Sequence, residues 1–311
     1  MDDTLKTPSA PTQDLVTQGA QPIADRAVRS MTVEGSFRLI TVRTTDLVQE
    51  IVRHQKVQGA SARILGDLVT ATVIIRETMA PGFRVQAVLS QDEQGSYVAD
   101  SHPPVSDSTV GALTRGLSTH GDSVPAATHL GSTSVLKVVR SLPGGELHQS
   151  IISAEGRDVS NAIMEYLQSS AQIVAMCGMT TIVDGDRVIA SGGYLLQLLP
   201  DCDRNLLAVM TERLAHDFAD LAPRLAEHDA LCEHLTTEIF YGMPFAELAA
   251  SRLRFGCDCD DARMMTAVAS LGLEELNGIV ASGEIIDLHC EYCQKHYKIG
   301  PEQLRPLLVA N

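Results

Sequence analysis

Cys257 and Cys259 stand with one residue between them in "FGCDCDD" (255–261), and Cys290 and Cys293 with two between them in "HCEYCQ" (289–294). Only three further cysteines, Cys177, Cys202 and Cys232, occur in the 311 residues. A cluster of this kind can hold a metal, form disulfides, or do both in turn. Cys–x–x–Cys wraps a tight turn that points both sulfurs at one ion. Cys–x–Cys is a shorter bite that works from extended chain once a second pair completes the coordination sphere. Four thiolates at about 2.3 Å in a tetrahedron suit Zn²⁺ and leave no open position, so such a centre stabilises a fold and does not activate water. His289 and His296 flank the second pair, but side chains so close to a ligating cysteine are poorly aimed, and both are read as solvent-facing imidazoles. An iron–sulfur cluster is the competing occupant, although nothing around the cysteines suggests an electron-transfer partner. The plainest use of the metal is a staple without regulation. Thiolates are also nucleophiles, however, and oxidising them to disulfides removes ligands and withdraws folding free energy on the order of 10 kcal/mol. For a small unit that loss is decisive.

Short elements surround the cysteines. "ARMMTAVASLG" places Met264, Met265, Val268 and Leu271 on one helix face, and "LEELNGIVASG" gives a second helix stopping near Gly283. "EIIDLHC" and "HYKIG" read as strands on either side of the Cys–x–x–Cys turn, and Pro301 opens a last helix. This unit, 256–311, is too small to be comfortable without a cross-link.

Upstream, 201–255 carries ten Asp or Glu against five Arg and reads as two or three short helices broken by Pro223, Gly242 and Pro244. Its modest apolar face makes it a metastable linker whose order depends on its neighbours. Residues 31–200 read as an α+β domain built on antiparallel hairpins, not a regular βαβ alternation. "SFRLITVRTT" is a strand, "TDLVQEIVRHQ" a helix, and "ILGDLVTATVIIRE" (64–77) is compatible with either a strand or a buried helix. "GFRVQAVLS" and "GSYVAD" are strands, and 101–133 is loop-like with room for a short strand. "SVLKVVRS" and "ELHQSIIS" form a hairpin across "PGG", Asp158 caps a helix, and "QIVAMCGMTTIV" and "VIASGGYLLQLLP" are strands. Residues 1–30, rich in Pro, Thr, Gln and Asp, are expected to be a mobile tail.

Composition excludes several classes of function. The chain is 44% hydrophobic and 20% charged, with no Trp, and its mean hydropathy is near zero. A formal charge of −15 argues against duplex nucleic acid or an anionic membrane as partner. No apolar run approaches the roughly 20 residues that span a bilayer, and no secretory signal is read at the start, so a cytoplasmic location is expected. In that compartment metal binding or reversible thiol chemistry is favoured over a permanent disulfide. No phosphate loop, zincin helix or nucleophile elbow is present, and His54, His102, His120, His129 and His148 are dispersed. The chain is therefore not read as an enzyme.

The order "CDC", "LGLEELNGIVASGEI", "HCEYCQKHYKI", with "YLQSSAQIVA" and "GGYLLQLLP" upstream, resembles the Hsp33 family of redox-regulated molecular chaperones. "LGDLVTATVI" and "FRVQAVLSQDEQG" resemble that family's N-terminal half, so the likeness covers roughly 35–311. The resemblance implies one Zn²⁺ per reduced, monomeric chain, held by Cys257, Cys259, Cys290 and Cys293. It implies disulfides Cys257–Cys259 and Cys290–Cys293 on oxidation, loss of zinc, unfolding of the linker and formation of a homodimer. The oxidised form would hold unfolding client proteins without ATP until ATP-dependent chaperones take them over.

Two features depart from the family pattern. Asp258, Asp260 and Asp261 crowd the first pair where a basic, polar stretch is usual, which should raise the metal-free thiol pKa and slow anionic oxidants. The N-terminal tail has no assigned role. Cys177, Cys202 and Cys232 are read as buried free thiols, with Cys232 a candidate for exposure if the linker opens. The competing functions are a zinc-dependent thiol–disulfide exchanger using "CEYC" and a zinc-ribbon regulator touching phosphate through Lys295, His296, Tyr297 and Lys298.

Overall fold

A computed structural model of the chain describes residues 24–91, 95–104, 111–119, 130–131, 133–200 and 202–309. β1 (Arg26–Thr32) and β2 (Phe37–Arg43) form an antiparallel hairpin. Strand β1 begins inside the segment expected to be tail, so the ordered chain starts earlier than the composition suggested. Arg26 and Arg29 mask its alternation in the sequence. Both have partners, Arg26 pairing with Glu233 and Arg29 Nη1 lying 2.7 Å from Glu77 Oε2, while Ala27, Val28, Ser30 and Thr32 are buried. The rest of the expected tail, 1–23, lies outside the described residues.

Helix α1 (Thr45–Gln55) buries Leu47, Val48, Ile51 and Val52. The ambiguous stretch that follows is a helix, α2 (Gly59–Glu77), of 19 residues. It is β-branched because it is buried on nearly every side, packing against strands from both halves of the sheet, and its length rules out a strand. Next come β3 (Val85–Gln91), β4 (Ser96–His102), β5 (Ala112–Ser118), β6 (Ser134–Ser141) and β7 (Leu147–Ser153). Strand β5 is the short strand allowed for in the loop-like region; residues 105–110, 120–129 and 132 of that region lie outside the described residues. The β6–β7 hairpin turns through Gly144 and Gly145, both at positive φ. Helix α3 (Val159–Ser169) is capped as expected, the Asp158 carboxylate accepting from Asn161 N at 2.7 Å. β8 (Ala175–Asp184) and β9 (Arg187–Leu198) close this half of the chain.

The acidic segment supplies α4 (Arg204–His216), α5 (Ala222–Glu227) and α6 (Cys232–Ile239). Its last part departs from the expectation of helix. "FAELAASRLRF" is strand β10 (Phe245–Phe255), antiparallel to β1 and, at 253–255, parallel to β5. Helix-forming residues lose here to long-range pairing, since β1 offers a free edge that only this segment covers. The ten-stranded sheet runs β7-β6-β3-β4-β5-β10-β1-β2-β9-β8, so the end of the expected linker lies in the middle of the sheet. The architecture is α+β with a mixed sheet.

Alternation along β2 and β9 creates two cores. Ile40, Val42 and Leu195 face α1, α2 and α3, while Phe37, Leu39, Tyr194 and Leu196 face the other way. That second face is covered by the acidic helices through Met210, Leu214, Phe218, Leu225, Ile239 and Phe240. Strand β9 is thus buried on both faces, which explains its near-continuous apolar run. Gly193 lets β8 and β9 approach, because a Cβ there would sit 2.5 Å from Gly178 O.

The C-terminal module contains α7 (Asp261–Ala269), α8 (Leu273–Ser282), β11 (Ile286–His289), β12 (His296–Ile299) and α9 (Pro301–Val309), matching the expected order. Its small apolar core among the described residues is formed by Val268, Leu276, Ile299 and Leu304. Among the described residues no helix is long and apolar enough to cross a membrane.

One buried acid makes the main domain pH-sensitive. Burial pushes the Asp67 carboxyl on α2 up to about 7, against a smaller lowering by Thr181, and its Oδ1 has no hydrogen-bond partner. The folded chain therefore keeps a proton that the unfolded chain releases above about pH 4. Stability should fall as pH rises from ~4 through ~7, by roughly 2–4 kcal/mol in all. Asp67→Asn is expected to remove the Asp67 share of the slope, making the variant more stable than the parent at pH 8 and close to it at pH 4.5. Urea unfolding at the two pH values checks this, and a variant no more stable at pH 8 contradicts it.

Candidate metal centre

Strand β10 delivers the first cysteine pair. Gly256 N extends its alignment with β5 by donating to Thr114 O at 3.1 Å, and Cys257 follows at once. Asp260 then caps α7, its Oδ1 accepting from Arg263 N at 2.8 Å, so Cys259 sits in the short connection between strand and helix. The second pair lies in the turn between β11 and β12. Gln294 N donates to Cys290 O at 2.8 Å, Cys290 N donates to Lys295 O at 2.9 Å, and Gln294 takes a left-handed φ of 58°. This backbone geometry curls the chain around the sulfurs.

The four Sγ atoms lie within 4.8 Å of one another. Cys257 Sγ is 3.6 Å from Cys290 Sγ, and Cys259 Sγ is 3.3 Å from Cys293 Sγ. A tetrahedral ion with ~2.3 Å bonds to sulfur requires sulfurs about 3.8 Å apart, so the donor set fits a metal of zinc's size and softness. All four thiols are free, Cys290 is buried, and the other three are half-buried. His289 and His296 lie outside the cluster: His296 Nδ1 is 3.2 Å from Asp287 Oδ1 and the side chain is exposed.

Residues distant in sequence complete the surroundings. Tyr297 on β12 does not face solvent as a phosphate-contacting patch would require; it is buried and donates its hydroxyl to Cys259 Sγ at 3.1 Å, with Lys295 over its ring. Arg115 on β5 donates to Cys257 Sγ at 3.4 Å. The acidic crowding expected from the sequence is largely neutralised. Asp258 lies 2.5 Å from Arg263 and 3.3 Å from Arg115. Burial works to raise its pKa, but the Arg263 hydrogen bond, with His102 and Arg115 nearby, holds it below the usual carboxylate range. Asp260 is spent on the helix cap. Neither that cap nor Arg115 was read from the sequence, and only the sheet brings Arg115 to the sulfurs.

The remaining cysteines play no part in the cluster. Burial pushes Cys177 and Cys232 up to about 12, which makes both poor nucleophiles. Cys202 is only half-buried, so the reading of all three as buried thiols fails there, because it lies in the loop before α4. Of the dispersed histidines, His54 stacks on Phe255 at 4.9 Å and His102 is buried 3.8 Å from Asp258, whereas His120 and His129 lie outside the described residues.

Together these features define an α+β protein whose small C-terminal module is built around a cluster of four cysteines able to hold a metal ion. The profile of the Hsp33 protein family matches residues 25–300, and the chain belongs to that family. The 33 kDa chaperonin of Syntrophotalea carbinolica is 27% identical over 299 residues, spanning 92% of this chain and 99% of its own. That of Geobacter sulfurreducens is 27% identical over 292 residues, spanning 92% and 95%. The crystal structure of the 33 kDa chaperonin (heat shock protein 33 homolog) from Thermotoga maritima shares the fold with a TM-score of 0.76 at 19% identity, covering 93% of this chain and 99% of that one. Hsp33 chaperones are holdases and not enzymes, and membership places the chain among them.

Proposed function

We propose that this protein is a redox-regulated, ATP-independent holdase whose client-binding surface is covered while its C-terminal sulfurs are reduced. The observation that carries the reading is the convergence of Cys257, Cys259, Cys290 and Cys293 to within 4.8 Å, in a module joined directly to β10. Bound by these four residues, zinc supplies cross-linking: it keeps the sulfurs as thiolates and ties the segment after β10 to the β11–β12 turn. Hydrogen peroxide is the oxidant proposed. Two thiolates of a pair give two electrons to it, the O–O bond breaks, one S–S bond forms, and two protons from solvent complete two waters. The pairs are Cys257–Cys259 and Cys290–Cys293. Each sulfur so bonded leaves the donor set, and the module loses the cross-link that stabilises it.

Loosening of the module frees the C-terminal end of β10 and with it the acidic helices that cover Phe37, Leu39, Tyr194 and Leu196. Apolar surface of that extent binds unfolding proteins. The formal charge of −15 limits self-association of the opened chain beyond a homodimer. The reduced form is a monomer, the clients pass to ATP-dependent chaperones, and the compartment is the reducing cytoplasm, where the thiols persist.

The test compares reduced and peroxide-treated protein as suppressors of light scattering by an unfolding client at ~40 °C, where marginal segments open. Zinc and thiols are counted in the same samples. Suppression confined to protein that has lost zinc supports the reading. Equal suppression in both states reduces the cysteines to a staple.

A further inference from the structure

The C-terminal module rests on the main sheet through two side chains that no local motif announces. Arg115, on β5, makes three contacts with it. Nη1 donates to Cys257 Sγ at 3.4 Å and lies 3.3 Å from Asp258 Oδ1, and the guanidinium sits 4.3 Å over the Tyr292 ring. Behind it, Nε donates to Asp100 Oδ2 at 2.9 Å, and Asp100 is fully buried and also held by Arg84. The fork is thus pinned from the sheet side and aimed at the sulfur. Gln55, the last residue of α1, makes the second contact. Its Nε2 donates to Glu291 O at 2.8 Å and Tyr292 O at 3.1 Å, and its Oε1 accepts from Ser118 N at 3.1 Å. It holds the backbone of the Cys–x–x–Cys turn without touching a sulfur.

Arg84, Arg115 and Arg263, with His102 beside Asp258, face Asp100, Asp258 and the Cys257 sulfur. As a thiolate, Cys257 sets a negative charge directly against Arg115 Nη1. A disulfide sulfur is uncharged and a weak acceptor, so its formation takes that partner away from a mostly buried guanidinium.

We propose that Arg115 is a positioning residue that reads the charge of Cys257, holding the module against the sheet while that sulfur is a thiolate and releasing it when the sulfur enters a disulfide. The proposal rests on the reading above that Cys257 is a metal-held thiolate subject to oxidation. It adds how that chemical change reaches the sheet: through the charge-assisted hydrogen bond at β5 as well as along β10. The same hydrogen bond draws electron density from Cys257 and makes it a poorer nucleophile, so Arg115 also sets how readily the pair is attacked.

The test uses the full-length reduced, zinc-loaded protein and the variants Arg115→Met, Arg115→Lys and Gln55→Ala. Zinc content, amide exchange over 112–118 and 290–294, and the rate of zinc release at a fixed peroxide concentration are measured for each. Arg115→Met is expected to keep its zinc, to exchange about tenfold faster at these amides, and to release zinc several-fold faster; a lost charge-assisted hydrogen bond supplies that much. Arg115→Lys, which keeps the charge but not the fork, should fall between Arg115→Met and the parent in both rates. Gln55→Ala should loosen exchange while leaving the release rate unchanged, separating docking from sulfur reactivity. Exchange and release in zinc-loaded Arg115→Met equal to the parent's overturn the proposal, and if that variant does not fold, parent-like rates in Arg115→Lys do so. Failure of the redox reading looks different: the parent itself then holds no zinc, or peroxide releases none.

Discussion

Cys290→Ser is expected to unfold residues 256–309 in the reduced protein while β1–β9 stay folded. Cys290 is 6% exposed, in the turn that the β11–β12 hairpin builds, and its sulfur is 3.6 Å from that of Cys257. A serine hydroxyl stays protonated near neutral pH and is no substitute for a thiolate. Zinc affinity should therefore collapse, withdrawing a contribution on the order of 10 kcal/mol. The module has little to set against that loss. Among the described residues, Val268, Leu276, Tyr297, Ile299 and Leu304 are its buried apolar side chains besides Cys290, while Leu271, Leu273 and Ile285 remain exposed. Few apolar groups out of water cannot offset the chain entropy of a unit this size. Limited proteolysis with mass analysis is the check. Cleavage throughout the module with the sheet intact is expected, and a module as resistant as the parent's contradicts it.

The second large effect concerns the cover over the sheet. Phe240, at the end of α6, is 1% exposed and packs at 5.4 Å between ring centroids against Phe245 of β10. It joins the helices to the strand that leads into Cys257. Phe240→Ala should cost roughly 3–5 kcal/mol of local stability through lost burial and an unfilled cavity. The acidic helices add only short apolar faces to this core, so a loss of that size is expected to open them with the thiols reduced and zinc bound. The reduced variant should then suppress client aggregation without oxidant, and the amides of α4 and α6 should exchange rapidly. Rapid exchange without chaperone activity would mean that this face of the sheet is not the client surface.

The candidate site was legible in the sequence because its chemistry is local. Paired spacings and the turn at Gly283 are written within a few residues of where they act. Helix α3 was legible for the same reason, through its cap and apolar stripe. What the sequence hid depends on pairing across distance. Strand β10 looks helical because Ala, Glu, Leu and Arg favour helices, and only the free edge of β1 overrides them. Strand β1 was missed because Arg26 and Arg29 break its alternation, and their partners, Glu233 and Glu77, lie far along the chain. The strand assignment matters for function, since it makes the segment before Cys257 part of the sheet and not a free tether. Arg115 was hidden in the same way, being an ordinary strand residue until β5 is placed beside Cys257.

The most direct measurement follows zinc and backbone protection together in one oxidation time course. Reduced protein should contain one zinc per chain. After peroxide, the ion should appear in solution in step with loss of amide protection in the C-terminal module and then in α4–α6, while α2 at the centre of the larger core stays protected. Oxidised protein that has given up its zinc yet protects α4–α6 as well as before would contradict the account.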